Sequence, residues 1–269
     1  AQNKTYANPM NIDYGYTPIP EFAKNGKHRA TADPVIVNHK GTYYLFSTNQ
    51  WGYWWSDDLS DWHFISRKFL RDKNKVYDEL CAPAVRSIGD DLVVIGSTHT
   101  KEFTLWKSSD PKNNQWEPLV DDFQVGAWDP DIFYDEEFDK VYIYWGSSNL
   151  YPLYGQELDR KTFQPIGEKI ELFGLSDHIH GWERFGEYND NTFLQPFMEG
   201  AWMTKYKGKY YLQYGAPGTE FSGYGDGVYV SDHPLRGFKY QSHNPFSYKP
   251  GGFIRGAGHG ATFIKKKKN

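Results

Sequence analysis

The 269-residue chain has a single cysteine, Cys81. One thiol excludes an intramolecular disulfide framework and is too few for a zinc site, so burial is its expected fate. No apolar run approaches the roughly 18 residues of a membrane span. Positive charge is not in surplus either. Thirty basic against 34 acidic residues leave a net charge of −4, which excludes a broad cationic field for nucleic acid. The four lysines at 265–268 are too local and too close to the end to change that. Helical periodicity is also missing, which leaves period-two alternation as the organising pattern. The chain opens AQNKTYANP without an initiator Met, which suits a mature exported protein. Export without disulfides suits a bacterial secreted or periplasmic setting.

Aromatic rings are abundant: 18% of the chain, including 10 Trp and 21 Tyr. That is more ring surface than an ordinary core requires. Such faces pack in sheets, and they also stack on the apolar faces of sugars and bases.

The stretch "AWDPDIFYDEEFDKVYIYWGSSN" sets Asp129 and Pro130 at the mouth of a strand. Proline lacks a backbone N–H and belongs at such a start or on an edge. The arrangement recurs. "DPVIVNHKGTYYLFSTNQ" begins at Asp33, "APAVRSIGDDLVVIGSTH" at Ala82, and "DPDIFYDEEFDKVYIYWGSSN" at Asp129. "GAWMTKYKGKYYLQYGAPG" begins at Gly200, and "GHGATFIKKKKN" starts a fifth unit at Gly258. A third element follows in four units, and in three of these a Ser- or Asp-containing turn separates two further short strands. Four strands per repeat at this period predicts a β-propeller; a β-sandwich or another all-β fold is the alternative. The chain is therefore expected to be all-β and a single domain over 1–269. Residues 1–32 form an N-terminal segment, and the fifth blade begins near 258 and is truncated. An insertion over about 174–198 lengthens the interval before the fourth unit.

In a propeller the first strand of each blade lines the central channel. Asp33 and Asp129 occupy matching positions, Glu199 precedes the match in the fourth unit by one residue, and His259 is next to the match in the fifth. Ala82 at the second match is small and leaves room. Three carboxylates on separate blades can thus meet at one pocket, where mutual repulsion raises at least one pKa. The bland readings are turn aspartates bonded to nearby backbone and a solvated strand-end acid. Gly200 lets a ligand or neighbouring backbone approach closely. His259 reads equally as a packed channel residue or as a metal ligand.

These motifs resemble glycoside hydrolase family 43. "ADPVI", "CAPAV", "WDPDIF", "MEGAW…KGKYYL" and "GHGATF" occur in the family's order across residues 33–263. The resemblance implies a five-bladed propeller that removes arabinose, xylose or related sugars with inversion. It implies Asp33 as general base, Asp129 as modulator of pKa and orientation, and Glu199 as general acid. The incomplete fifth blade departs from the pattern. The expected reaction is exo-cleavage of terminal arabinofuranosyl, xylosyl or galactosyl-type residues from poly- or oligosaccharides. Such hydrolysis needs an acid to protonate the leaving oxygen and a carboxylate to activate water.

Trp128, beside Asp129, is the foremost candidate for a sugar-binding floor, with Trp51, Trp202 and, on the insertion, Trp182 as further candidates. His259 is expected to point into the channel and hold water or, as a metal site, a hard cation such as Ca²⁺, chiefly through coordinated waters. No other cofactor is expected. The insertion also carries His178, His180, Arg184 and Glu183. Glu183 is the rival to Glu199 as acid, and the loop is expected to wall in the leaving-group side. Two other readings are a non-catalytic carbohydrate-binding propeller and a retaining fructan-type glycosidase. The latter would carry "RDP" where this chain has "WDP".

Overall fold

A computed structural model describes residues 31–48, 52–66, 80–97, 104–121, 123, 125, 128–249, 251–252 and 255–265. Within them the repeats become antiparallel sheets. The first holds β1 (Val35–His39), β2 (Thr42–Phe46), β3 (Gly52–Ser56) and β4 (His63–Ser66). The second holds β5 (Cys81–Ile88), β6 (Asp91–Ser97), β7 (Leu105–Asp110) and β8 (Gln115–Val120). The third holds β9 (Asp131–Asp135), β10 (Lys140–Trp145), β11 (Leu153–Leu158) and β12 (Pro165–Phe173). The fourth holds β13 (Glu199–Tyr206), β14 (Lys209–Ala216), β15 (Gly225–Ser231) and β16 (Lys239–Tyr240), with β17 (Ser247–Tyr248) also on β15. Each sheet runs in chain order, the up-and-down topology of a propeller blade.

Local chemistry fixes these meanders. The tight turns of the first and fourth blades use Lys40-Gly41 and Lys207-Gly208, with all four residues at positive φ. That is the type I′ geometry whose twist matches the flanking strands. The turn between the third and fourth strands is capped by a side chain. Ser56 Oγ accepts the N–H groups of Asp58 and Leu59, and Ser231 Oγ that of His233. In the third blade Asp159 does the same for Lys161 and Thr162.

The innermost strands β1, β5, β9 and β13 neighbour one another in turn. The core is divided into layers between adjacent blades. Val35, Phe46, Tyr53, Val85 and Val94 pack between the first two blades. Ala84, Ile95, Ile132 and Ile143 pack between the second and third, and Tyr144, Met203, Leu212 and Tyr214 between the third and fourth. Radial sheets splay outward, so the wedges between them take large side chains. Tyr53 stacks on Phe46 at 4.7 Å and Phe173 on Tyr229 at 3.8 Å. Much of the ring surface that exceeds an ordinary core's needs fills these wedges.

The expected fifth blade has no strand among its described residues, 258–265, so four blades are seen. The segment nevertheless closes the gap between the fourth and first. Gly260 and Thr262 carbonyls accept from Gln213 and Trp202 of the fourth blade, and Phe263 packs edge-on against Tyr43 of the first.

Candidate active site

One backbone feature recurs at the channel end of every repeat. Asp33 (φ 52°), Ala82 (φ 45°), Asp129 (φ 48°), Gly200 (φ 67°) and His259 (φ 54°) are all left-handed. For a non-glycine residue this costs on the order of 1–2 kcal/mol, so something must hold it. Hydroxyls from the preceding blade do so in two units: Thr48 Oγ1 accepts the Ala82 N–H at 2.8 Å, and Ser97 Oγ the Asp129 N–H at 2.8 Å. At Gly200 the acceptor is Asp129 Oδ2, at 3.2 Å.

This corrects the fifth match. The sequence register puts Gly258 there, whereas the backbone puts His259 itself there. The flanking glycines answer a different need. A Cβ on Gly258 would lie 2.6 Å from the Tyr224 ring, and one on Gly260 would lie 2.9 Å from Asp226 Oδ2. Gly200 also permits a close approach, and the group that approaches is the His259 ring: a Cβ there would meet it at 2.9 Å.

His259 stands between acids from different blades. Its Nδ1 is 3.2 Å from Asp33 Oδ1 and 3.7 Å from Asp129 Oδ2. Asp33 Oδ2 accepts from Thr48 Oγ1 at 2.5 Å. Glu199 is held from both sides, Oε2 by Ser147 Oγ at 3.0 Å and Oε1 by the Tyr224 hydroxyl at 2.8 Å. A hydroxyl can turn to accept, so the serine contact also suits a protonated Glu199.

Burial and crowding set the electrostatics. Burial, together with the charges of Glu199 and Asp33, pushes Asp129 up to about 7, against the pull of His259 and the Gly200 N–H. Burial opposes a charge on His259, but Asp33, Asp129, Glu199 and Asp226 outweigh it and raise its pKa to about 9. Asp226, on β15, is pushed up to about 7 by burial in the same way. The proton affinity of His259, Asp129 and Asp226 is therefore raised together at this centre. The groups with raised affinity for protons include Asp129, which is more deeply buried than Glu199.

The tryptophans divide. Trp128 is 41% exposed beside Asp129. Trp202 is 6% exposed and unavailable to a sugar: the Arg86 guanidinium covers its ring at 3.6 Å and its indole N–H reaches the Thr262 carbonyl. Its place at the strand start makes it resemble a sugar platform, but it is the floor of the channel instead. On one side is a space of about 10 Å³ bounded by Asp33, Ala82, Pro130 and His259. On the other is a cavity of about 650 Å³ at the far mouth. Arg86 crosses that region to a bidentate pair with Asp131 and to the Met203 carbonyl. Trp182 packs half-buried on the fourth blade, with its N–H on the Tyr240 hydroxyl. Trp51 lies outside the described residues.

Glu183 is 0% exposed, and its oxygens are taken by the Ser176 N–H, the Tyr214 hydroxyl and His180. It anchors the insertion to β14 and offers no face to a substrate. His180 lies flat on Tyr240 at 3.5 Å, and Arg184 is tied to the Asp177 carbonyl. The insertion runs directly into Glu199, and Met198 bridges Ser148 just before it.

Sequence reasoning misses Thr48, Ser97, Ser147, Tyr224 and Asp226. Thr48 and Ser97 stand just past the apolar end of their second strands ("LFST", "VIGS"), a repeat that could reveal them. Tyr224 and Asp226 belong to no repeat.

Among the described residues no three His, Cys, Asp or Glu side chains converge as a metal site. The imidazolium of His259 already meets the carboxylate charge. The donor set does not fit a directly ligated cation.

Solved structures share this architecture. A thermostable family-43 glycoside hydrolase superposes with a TM-score of 0.67 at 23% identity, covering 91% of this chain and 78% of its own. An α-L-arabinofuranosidase from Clostridium thermocellum gives 0.60 at 19% identity, covering 83% and 77%. An exo-1,5-α-L-arabinanase from a bovine ruminal metagenomic library gives 0.61 at 19% identity, covering 87% and 84%. No curated protein matches the chain by sequence. The profile described as glycosyl hydrolases family 43 matches residues 27–269, so this all-β propeller chain belongs to that family and is a glycosidase acting on carbohydrate.

Proposed function

We propose that the chain is an inverting, exo-acting glycoside hydrolase that removes terminal arabinofuranosyl, xylosyl or galactosyl-type residues from oligo- or polysaccharides. The observation that carries this reading is the meeting of Asp33, Asp129 and Glu199, from three blades, around His259. Asp33 is the general base: it takes a proton from water as the water oxygen bonds to C1 of the sugar. Glu199 is the general acid, giving its proton to the departing glycosidic oxygen as the C1–O bond breaks. Asp33 then releases its proton to solvent and Glu199 regains one. Asp129 is the modulator. Its carboxylate fixes the Gly200 N–H, and so the backbone that carries Glu199.

His259 holds Asp33 in place and borders the water-sized space beneath it. A hard cation such as Ca²⁺ would have to be held there through waters rather than by direct ligands. Among the described tryptophans, Trp128 is the best-placed candidate sugar platform. The insertion would wall in the leaving-group side, which favours chain ends over internal cuts. We take the segment after 258 as the inner part of a fifth blade, and the whole as one secreted or periplasmic catalytic domain. The five-fold recurrence of the left-handed residue supports the blade count.

The test is a panel of aryl glycosides with product anomers followed by NMR. Inverted product from one of these sugars is the expected result. Retention would exclude water activation by Asp33, and no turnover on any member would favour a binding protein.

A further inference from the structure

The "GHG" segment carries His259 but has no strand of its own to hold it. The N-terminal part of β15 holds it instead. Tyr224, just ahead of the strand, lays its ring on Gly258, while its hydroxyl holds Glu199. Two residues on, Asp226 is 2% exposed, and its Oδ2 accepts the Gly260 N–H at 3.0 Å. Its other oxygen, Oδ1, is buried with no hydrogen-bond partner. A buried carboxyl group with an unpaired oxygen is costly, and its neighbours would tolerate an apolar residue better unless the group had a task.

Resting on the glycosidase reading above, we infer that Asp226 is a positioning residue, whose carboxylate clasps the Gly260 backbone and so fixes His259 between Asp33 and Asp129. It touches no reacting atom. Three observations support the clasp. Gly260 has no room for a Cβ against Oδ2. His259 is held at a left-handed φ of 54° that needs external support. And Asp33 takes its contact from the same imidazole, so a drift of the segment would carry the base partner with it. Positional errors of about 1 Å near the reacting groups cost on the order of 10²-fold in rate.

Two readouts on one set of variants test the clasp: amide hydrogen exchange at Gly260, which needs no substrate, and kcat and KM on an aryl glycoside. Asp226→Asn keeps an acceptor oxygen and should hold exchange and kcat within about threefold of wild type. Asp226→Ala should speed Gly260 exchange at least tenfold and lower kcat about 10- to 100-fold, with KM changed less than twofold. Should Asp226→Ala not fold, Gly260→Ala attacks the same contact from the other side and should lower kcat with Asp226 intact. Wild-type exchange and kcat in Asp226→Ala would overturn the clasp, as would an Asp226→Asn variant as impaired as Asp226→Ala. If the wild-type protein turns over no glycoside, the functional reading fails, and the exchange data still decide whether the clasp exists.

Discussion

The imidazole of His259, on the last repeat, lies 3.2 Å from the carboxylate of Asp33, on the first. The ion pair thus joins the first and last repeats at this mouth of the channel. Asp129, Glu199 and Asp226 also face His259, and together these acids outweigh its burial and lift its pKa to about 9. The sign follows from linkage. A histidine raised above its unfolded value of about 6.5 binds its proton more tightly when folded. Its stabilisation is complete below that value and is lost as pH rises through about 9. His259→Gln should therefore melt well below wild type at pH 7, and the gap should narrow by pH 10. Thermal unfolding across that range checks this; a gap that does not change with pH would mean that His259 contributes packing and not charge.

Gly200 separates the effect of space from that of backbone. Its φ is +67°, and a Cβ would sit 2.9 Å from the His259 ring. Gly208, in the turn after β13, has φ +75° and nothing within 4 Å of its Cβ position. Both alanine variants bear the left-handed penalty of about 1–2 kcal/mol. Only Gly200→Ala must also move the imidazole, adding overpacking strain of about 1–3 kcal/mol. Denaturant unfolding should rank Gly200→Ala as the less stable. Its kcat should fall at least tenfold while Gly208→Ala keeps wild-type kcat, and equal kcat in the two would remove the steric argument.

Much of this centre is legible in the repeat itself. Asp33 and Asp129 stand out because each opens a strand with the same Asp-Pro pair, and Glu199 because it stands one residue ahead of the matching position in "EGAW". The register sets the fifth match one residue early, at Gly258 instead of His259. Glycines mark both turns and close contacts, and here they mark contacts with Tyr224 and Asp226. Trp202 misleads for a related reason. An aromatic ring at the start of an inner strand can face the pocket or plug the channel, and the choice depends on Arg86 from another blade. Arg86 and Asp131 carry opposite charges on separate strands, with nothing in either neighbourhood announcing the pair. In the fifth unit the inner residues match the repeat but the strand does not, because no partner strand follows it in the described residues.

The insertion offers a test of which side the leaving group takes. Phe193 is 94% exposed on the segment that runs into Glu199. If the remainder of a sugar chain lies along this side, Phe193→Ala should raise KM severalfold on an oligosaccharide and leave an aryl glycoside of the same sugar unaffected. An exposed aromatic contributes roughly 1–3 kcal/mol when it stacks on a ligand ring, by analogy with stacked bases. Equal KM changes on both substrates would place the leaving group elsewhere.

Glu199 and Asp33 can be told apart by the leaving group. A general acid matters in proportion to how badly the departing oxygen needs a proton. A sugar alkoxide departs poorly, whereas a nitrophenolate leaves almost unaided. Glu199→Gln keeps the side chain's shape and an acceptor for one of its two hydroxyl partners, Ser147 and Tyr224, so the site should stay assembled. Loss of proton donation should then cost about 10²- to 10⁴-fold on a natural disaccharide and much less on a nitrophenyl glycoside. If Asp33 is the base that activates water, a step both substrates share, Asp33→Asn should slow both severely. The pair of variants therefore gives a substrate-dependent loss in one case and a uniform loss in the other. A uniform loss in Glu199→Gln would take the acid role away from Glu199. It would also turn attention to Asp129, whose proton affinity is already raised and which binds the Gly200 N–H beside Glu199, whereas Glu183 is buried within the insertion's anchor on β14.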